Sequence, residues 1–164
     1  GYAESDFNFK PTGELIESLA ICRRYRSNFL FNVGPKADGS LRTIDKGALE
    51  ILGQWTALNN EALHEPAPAA AKVEGKPKNF LLKNSDNYYL FLFDISMRCD
   101  GNVTINKELN LDNTFCLEET VKSVFWLDSG KSLEFKQTGN RVTVTAEPYR
   151  YGESFVVRIA KITV

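Results

Sequence analysis

The first third of the chain has the hydrophobic spacing of helices. Leu15 and Leu19 belong to an apolar stripe that predicts an amphipathic helix over residues 12–25, with Thr12 as its N-cap. A second stripe predicts another helix over residues 44–63. Its apolar face needs a sheet to cover it, and this face comprises Ile44, Ala48, Ile51, Leu52, Trp55 and Leu58.

Between the two predicted helices lies a short segment that is apolar on both faces. Residues 28–33 read Asn-Phe-Leu-Phe-Asn-Val and stop at Gly34-Pro35, after which a charged loop follows. A strand that is apolar on both faces belongs to a parallel sheet covered on both sides, so we expect residues 28–33 to form a buried strand. Helix, strand, loop and helix are the parts of an α/β architecture, in which the loops after the strands carry the chemistry.

The composition changes after residue 65. Residues 66–78 are rich in proline, alanine and lysine, and Val73 is their only large apolar residue, so they predict an extended connector between two domains. From residue 79 onward the apolar positions alternate, which is typical of strands. The predicted strands are residues 80–83, 88–95, 102–105, 122–127, 132–137, 141–147 and 154–164.

Turn signals join several of these strands. Gly139-Asn140 stands between two alternating runs and predicts a two-residue hairpin, and Ser129-Gly130 predicts a second turn. Together they predict a meander over residues 122–147. Seven short strands with polar turns favour an antiparallel β-sandwich.

The charge distribution excludes some classes of partner. The net charge is −1, and acidic and basic side chains are mixed along the whole chain. Such a chain has no field that would attract nucleic acid or an anionic membrane surface. No apolar run reaches the roughly 18 residues that a membrane-spanning helix needs. We therefore expect neither a nucleic acid nor a membrane as a partner.

The cysteines and the single histidine do not predict a metal site. Cys22, Cys99 and Cys116 lack the spacing of metal ligands, and His64 has no cysteine or histidine beside it. We expect Cys22 to be a buried thiol on a helix face and His64 to end a helix. Whether Cys99 and Cys116 form a disulfide stays open at this point.

One motif resembles a known family. Residues 28–40 resemble the signature Gly-Asn-(apolar)3-Asn-Val-Gly-Pro-x-x-Asp-Gly of the α-L-fucosidases, which are retaining glycoside hydrolases. The resemblance is specific over residues 1–65, whereas the remainder shares only a strand pattern with the family. Arg26-Ser27 and Asn60 depart from the family, which commonly has glycine there, and this affects local loop geometry. Further matches in register are Gly1-Tyr2, residues 15–19, Ile44-Asp45, residues 49–55 and residues 58–63.

The resemblance implies an α+β fragment with two parts. Residues 1–65 would be the last helix-strand-helix of a (β/α)8-type barrel, residues 66–78 a linker, and residues 79–164 an antiparallel β-sandwich domain. It also implies the C-terminal part of an enzyme that hydrolyses terminal α-L-fucosyl linkages of glycans with retention, without a metal or organic cofactor. The implied partners are the remaining N-terminal barrel portion and a fucosylated glycan, and an oligomer is compatible with the sequence.

The same resemblance suggests where the reaction would take place. The family's nucleophile and its acid/base precede the segment that matches this chain, so we expect no catalytic residue here and no activity of the chain alone. Two residues are candidate substrate contacts: Tyr2, which would stack on a sugar or anchor its loop, and Asn32, which would contact sugar or hold its own loop. Asp38 precedes a glycine, which favours a turn role. The predicted active-site loop thus has structural positions at Gly34, Pro35, Asp38 and Gly39.

Two alternatives come from other classes of protein. Residues 79–164 would be an independent carbohydrate-binding domain if their aromatic side chains shared one exposed face. The whole chain would be a structural domain if it lacked the helix-strand-helix unit. The candidate sugar-binding aromatic residues of the first alternative are Tyr88, Tyr89, Trp126, Tyr149 and Tyr151.

The sequence does not determine the compartment, because secreted, lysosomal and bacterial compartments are all compatible with it.

Overall fold

The structure is a computed structural model of the 164-residue chain, and it describes residues 3–98 and 111–164. The predictions for Tyr2, Cys99 and a strand at residues 102–105 lie outside the described residues. None of the helices in the described part of the chain is both long and apolar enough to cross a membrane.

Three helices of the described residues form the first layer. Helix α1 is Thr12–Arg24, α2 is Thr43–Leu58 and α3 is Asn60–Leu63. Thr12 is the first helical residue rather than the N-cap, because Pro11 takes the cap position without a side-chain cap bond. The second predicted helix is interrupted at Asn59, whose side-chain amide donates to the carbonyl oxygen of Trp55 at 2.9 Å. This side-chain bond competes with helix continuation, as expected for asparagine.

The buried strand predicted at residues 28–33 is not formed in the described chain. No strand is assigned there, and Leu30 is 87% exposed. Phe29 and Phe31, in contrast, are partly buried and pack against the apolar cluster that the helices form with the sheet beneath them. The segment keeps the alternation of a strand, but the described part of the chain offers no neighbouring strand to accept its backbone hydrogen bonds.

Within residues 3–98 and 111–164, ten strands form two antiparallel sheets and one short parallel pair. The first sheet has the order β1-β2-β3-β10-β6, and the second sheet has the order β5-β8-β7. The short pair joins β4 (Met97–Arg98) to β9 (Tyr149–Arg150). The strands of the first sheet are β1 (Ala67–Lys72), β2 (Phe80–Lys83), β3 (Asn87–Phe93), β10 (Val157–Thr163) and β6 (Ser123–Trp126). Those of the second sheet are β5 (Asp112–Cys116), β7 (Glu134–Thr138) and β8 (Arg141–Thr145).

Much of the segment predicted as a connector is a strand. Residues 67–72 form β1, which pairs with β2 through Ala67–Lys83, Pro68–Leu82 and Lys72–Phe80, with an irregularity between Pro68 and Lys72. Because β1 lies at the edge of its sheet, the missing N–H of Pro68 is tolerated there. The division of the chain into two domains with a linker at 66–78 stays a prediction.

The first sheet is covered on both faces. Along β3, Tyr89, Phe91 and Phe93 face the helices, whereas Leu90 and Leu92 face the second sheet. All five are at least 94% buried. The molecule therefore has three layers, namely helices, first sheet and second sheet, with one apolar core on each side of the first sheet.

Only part of the predicted meander is present. The Gly139-Asn140 hairpin joins β7 to β8, and Gly139 has φ 58°, which favours glycine. The predicted turn at Ser129-Gly130 is also present, since the N–H of Gly130 donates to the carbonyl of Trp126 at 2.8 Å. Residues 131–133 then run back along β6, with backbone bonds from the Trp126 N–H to the Lys131 carbonyl and from the Leu133 N–H to the Val124 carbonyl, both 2.9 Å, before the chain enters the second sheet. Since β6 pairs mainly with β10 and β7 pairs with β8, the predicted meander passes from the first sheet to the second instead of forming one sheet.

Candidate functional site

The starts of α1 and α2 lie side by side and enclose a cleft of about 410 Å³. It is lined by residues from 6–10, 15–18, 29–34 and 42–48, and we call it the α1–α2 cleft. At the other end of the helices, a second depression is lined by residues from the ends of both, such as Cys22 and Ala57. The two helices thus run in the same direction.

An arginine and a carboxylate form one wall of the α1–α2 cleft. Arg42 precedes α2, and its Nε donates to Oδ2 of Asp45 at 3.0 Å. Asp45 lies in the first turn of α2, where a negative charge is stabilised by the helix dipole. Its side chain is only 8% exposed. The guanidinium of Arg42 also lies 4.5 Å from the ring centroid of Phe9, so it joins the segment before α1 to the start of α2.

The predicted active-site loop is a compact turn stabilised by its own polar groups. Oδ1 of Asp38 accepts hydrogen bonds from the backbone N–H and the hydroxyl of Ser40, at 2.9 and 2.7 Å. The N–H of Gly39 donates to the carbonyl of Lys36, and Gly39 has φ 82°. The bonds from Ser40 lower the pKa of Asp38. A lowered pKa suits a structural carboxylate and not a general acid.

The structure brings only some of the predicted site residues together. Asn32 and Gly34 line the α1–α2 cleft, and Asn32 is exposed. Pro35, Asp38 and Gly39 are not among its described lining residues. The roles assigned to these residues stay predictions.

Sequence reasoning missed Phe9, Arg42 and Asp45. The signal was available for the pair, because an arginine three positions before an aspartate at a helix start is a common i,i+3 ion pair. Phe9 carried no signal, since its partner stands 33 positions later in the chain.

Cys22 and His64 are also placed by the structure. Cys22 is a free thiol that is half-buried rather than fully buried, and Cys116 is free and exposed. His64 is the C-cap of α3, as expected, and its carbonyl accepts from Arg23 at 3.4 Å.

Comparison with known proteins identifies the family. Residues 1–61 match the family model described as alpha-L-fucosidase. The tissue alpha-L-fucosidase of Mus musculus is 32% identical over 83 residues, which are 49% of this chain and 18% of that protein. Over residues 1–61 the chain belongs with the α-L-fucosidases. The tissue alpha-L-fucosidase of Homo sapiens is 30% identical over 81 residues, or 48% of this chain and 17% of that protein. The chain thus matches less than a fifth of the length of these relatives.

Solved structures of α-L-fucosidases share the fold of the whole chain. The Thermotoga maritima alpha-fucosidase in complex with a mechanism-based inhibitor matches 100% of this chain and 37% of its own, with a TM-score of 0.74 and 18% identity. Alpha-L-fucosidase isoenzyme 1 from Paenibacillus thiaminolyticus matches 99% of this chain and 37% of its own, with a TM-score of 0.73 and 19% identity. The α+β arrangement with antiparallel sheets is therefore that of part of an α-L-fucosidase.

The aromatic residues of the sandwich do not form an exposed binding face. Tyr88, Tyr89, Trp126 and Tyr149 are at least 95% buried. Only Tyr151 is exposed, at 73%. Four of the five candidates are thus core residues, which does not favour an independent sugar-binding domain.

Proposed function

We propose that this chain is the C-terminal part of an α-L-fucosidase that hydrolyses terminal α-L-fucosyl linkages of glycans by a retaining mechanism. Residues 1–65 supply the last helix-strand-helix of its (β/α)8-type barrel, and residues 79–164 supply its β-sandwich. The observation that carries the proposal is the family match at residues 1–61, together with an apolar surface on the helix layer that the described chain leaves uncovered.

The uncovered surface runs along α2. Ile44, Ile51 and Leu58 stand seven positions apart, so they follow one face of the helix, and each is 45–50% exposed. Leu30, at 87% exposure, adds to it from the segment between the helices. Burying a large aliphatic side chain contributes about 1.5–3 kcal/mol, so a surface of this kind needs a partner. The remaining strands and helices of a barrel are the partner that fits, because residues 28–33 also need neighbouring strands.

The carboxylates of this chain near the α1–α2 cleft do not suit the catalytic step. A retaining glycosidase needs two carboxyl groups about 5 Å apart, one nucleophile and one acid/base. Asp6 accepts from the backbone N–H of Asn8, Asp38 accepts from Ser40 in a turn, and Asp45 is paired with Arg42. All three serve the local structure, so the catalytic pair belongs to the part of the enzyme upstream of this chain.

The chain instead shapes the active-site side of the barrel. In a (β/α)8 barrel the loops between strands and the following helices form the active site, and each helix starts on that side. Asn32, at the end of the 28–33 segment, and the loop before α2 both lie at the helix starts. The Arg42 contacts to Asp45 and Phe9 fix the two loops relative to each other. This chain thus positions one wall of the fucose pocket and carries no reacting group.

An activity measurement on the chain and on the complete enzyme tests the proposal. The chain alone is expected to leave an aryl α-L-fucoside intact, and the complete enzyme that contains it is expected to release the aryl group. Native mass spectrometry shows whether a larger polypeptide accompanies the chain in purified material. Proton NMR of the first product distinguishes the mechanisms, since retention yields the α-anomer of fucose. Hydrolysis by the isolated chain, or a β-anomer from the complete enzyme, would contradict the proposal.

A further inference from the structure

An exposed aromatic residue stands on a loop at the end of the sandwich. Tyr151 is 73% exposed, in a loop over residues 151–156 that links β9 to β10. Its neighbours Arg150 and Glu153 are exposed as well, and the N–H of Glu153 donates to the carbonyl of Arg150 at 3.0 Å. Gly152, with φ 83°, provides the turn.

Both ends of the 151–156 loop are fixed by a buried aromatic cluster. Before it, Tyr149 is 3% exposed, and its ring centroid is 6.1 Å from that of Phe155. After it, the guanidinium of Arg158 lies 4.0 Å from the ring centroid of Trp126 and 5.2 Å from that of Phe155. Asp128 accepts from Arg158 with both oxygens, at 2.7 and 3.0 Å. The loop is therefore anchored firmly although its tip is exposed.

The same loop contacts the start of α1. A Cβ built on Gly13 would lie 3.5 Å from Cγ2 of Val156, so the two residues are in close contact. Val156 has φ 64°, which is unusual for a β-branched residue. Beside it, the carbonyl of Val157 accepts from the indole N–H of Trp55 at 2.9 Å. The helix layer thus determines where the loop sits.

This contact places the loop at the end of the helix layer that carries the α1–α2 cleft. Gly13 is in the first turn of α1, directly after the segment whose residues Asn8 and Phe9 line that cleft. In the (β/α)8-type barrel of the proposed fucosidase, each helix starts on the active-site side. Tyr25, which is also exposed (67%), stands at the opposite end of α1 and provides a comparison.

We infer that Tyr151 contacts the glycan to which the fucose is attached, and so forms part of the leaving-group side of the substrate site. This inference rests on the proposed function. An aromatic ring stacks on the apolar face of a pyranose, and the charged groups of Arg150 and Glu153 beside it offer hydrogen bonds to sugar hydroxyls. Because the loop is anchored at both ends, little conformational entropy is lost on binding.

The test compares two substrates in the complete enzyme. One is an aryl α-L-fucoside, whose leaving group is too short to extend over the rim of the site, and the other is a fucosylated tetrasaccharide. For Tyr151→Ala, the ratio of kcat/KM for the tetrasaccharide to kcat/KM for the aryl fucoside is expected to fall about fivefold, which corresponds to about 1 kcal/mol. Tyr151→Phe keeps the ring and is expected to keep most of that ratio. Tyr25→Ala is the matched control and is expected to leave the ratio unchanged.

The outcomes separate this inference from the proposed function. An unchanged ratio in Tyr151→Ala overturns the role of Tyr151 while the fucosidase proposal stands. An equal fall in Tyr25→Ala also overturns it, since the effect would then not depend on the 151–156 loop. A changed sedimentation coefficient with an unchanged ratio would assign Tyr151 to a contact between protein copies. Absence of aryl-fucoside hydrolysis by the unmodified complete enzyme would instead remove the proposed function itself.

Discussion

Trp55 of α2 contacts the first sheet, and replacing it by phenylalanine tests how much this contact contributes to stability. Trp55 is 3% exposed, and its indole N–H donates to the carbonyl of Val157 at 2.9 Å. Trp55→Phe removes this buried bond, worth about 1 kcal/mol. It also removes three buried ring atoms, worth a further 1–2 kcal/mol approximately. The free energy of unfolding is therefore expected to fall by about 2–3 kcal/mol.

Urea unfolding measures this change with two separate probes. The chain has two tryptophans, so Trp55→Phe leaves Trp126, in the core between the sheets, as the only tryptophan signal. Far-UV circular dichroism follows the helices at the same time. If the layers unfold together, both transitions shift to lower urea by the same amount. Tyr25→Phe is the control, because its ring is exposed, and a loss in Trp55→Phe no larger than in this control would refute the reasoning.

Three further predictions concern the helix–sheet contact and the loops. Burial opposes ionisation of Glu61, but the hydrogen bonds from Lys161 and Tyr89 outweigh burial and lower the pKa of Glu61 below 4.5. The contribution of ionised Glu61 to the free energy of unfolding is therefore lost as the pH falls through that lowered pKa. Acid unfolding curves of Glu61→Gln should lack this loss. In the complete enzyme, Asp38→Asn is expected to reduce aryl-fucoside kcat by less than about tenfold, whereas a general acid or base would contribute about 100-fold or more. Amide hydrogen exchange should be fast at residues 28–34 and slow along β3. The reason is that no described hydrogen bond has a backbone N–H of residues 28–34 as donor, whereas β3 is paired along its length. Slow exchange at residues 28–34 in the monomeric chain would contradict this prediction.

Local signals predicted the elements whose own residues determine them. The stripe of α1 and the alternation of β8 follow from burial on one face, and both elements are present within a residue or two of the predicted bounds. The hairpin at Gly139-Asn140 is similar, because its positive φ calls for glycine whatever surrounds it. In each case the physical cause lies within about 15 neighbouring residues.

Elements whose stability depends on distant partners were missed or misassigned. β5 contains Asn113, which is 1% exposed, so its buried face is not apolar throughout. The oxygen of Asn113 accepts from Asn79 at 2.8 Å, and the oxygen of Asn79 in turn accepts from the N–H of Phe93 at 2.9 Å. These hydrogen bonds satisfy the buried amide of Asn113, and the first of them joins residues 34 positions apart. No local pattern predicts it.

The position of two candidate site residues follows from a local motif. The motif places Asn32 and Gly34 at the end of the 28–33 segment, and both line the α1–α2 cleft, whereas their role in binding stays a prediction. The contact of Arg42 with Phe9 depends on two segments brought together by the packing of α1 on α2, so it is visible only in the structure.

The two covered faces of the first sheet explain why the helix layer and the sandwich are packed together in this chain. A sheet with one wet face would have polar residues at every second position of β3, whereas Tyr89, Phe91 and Phe93 occupy those positions. Without the helices these three rings would be exposed to water, at a cost of about 1.5–3 kcal/mol each. The sandwich thus requires the helices on one side, and the helices still expose Ile44, Ile51 and Leu58 on their other side. The layers form a series in which each is incomplete without the next, and the barrel of the proposed enzyme is the layer that completes it.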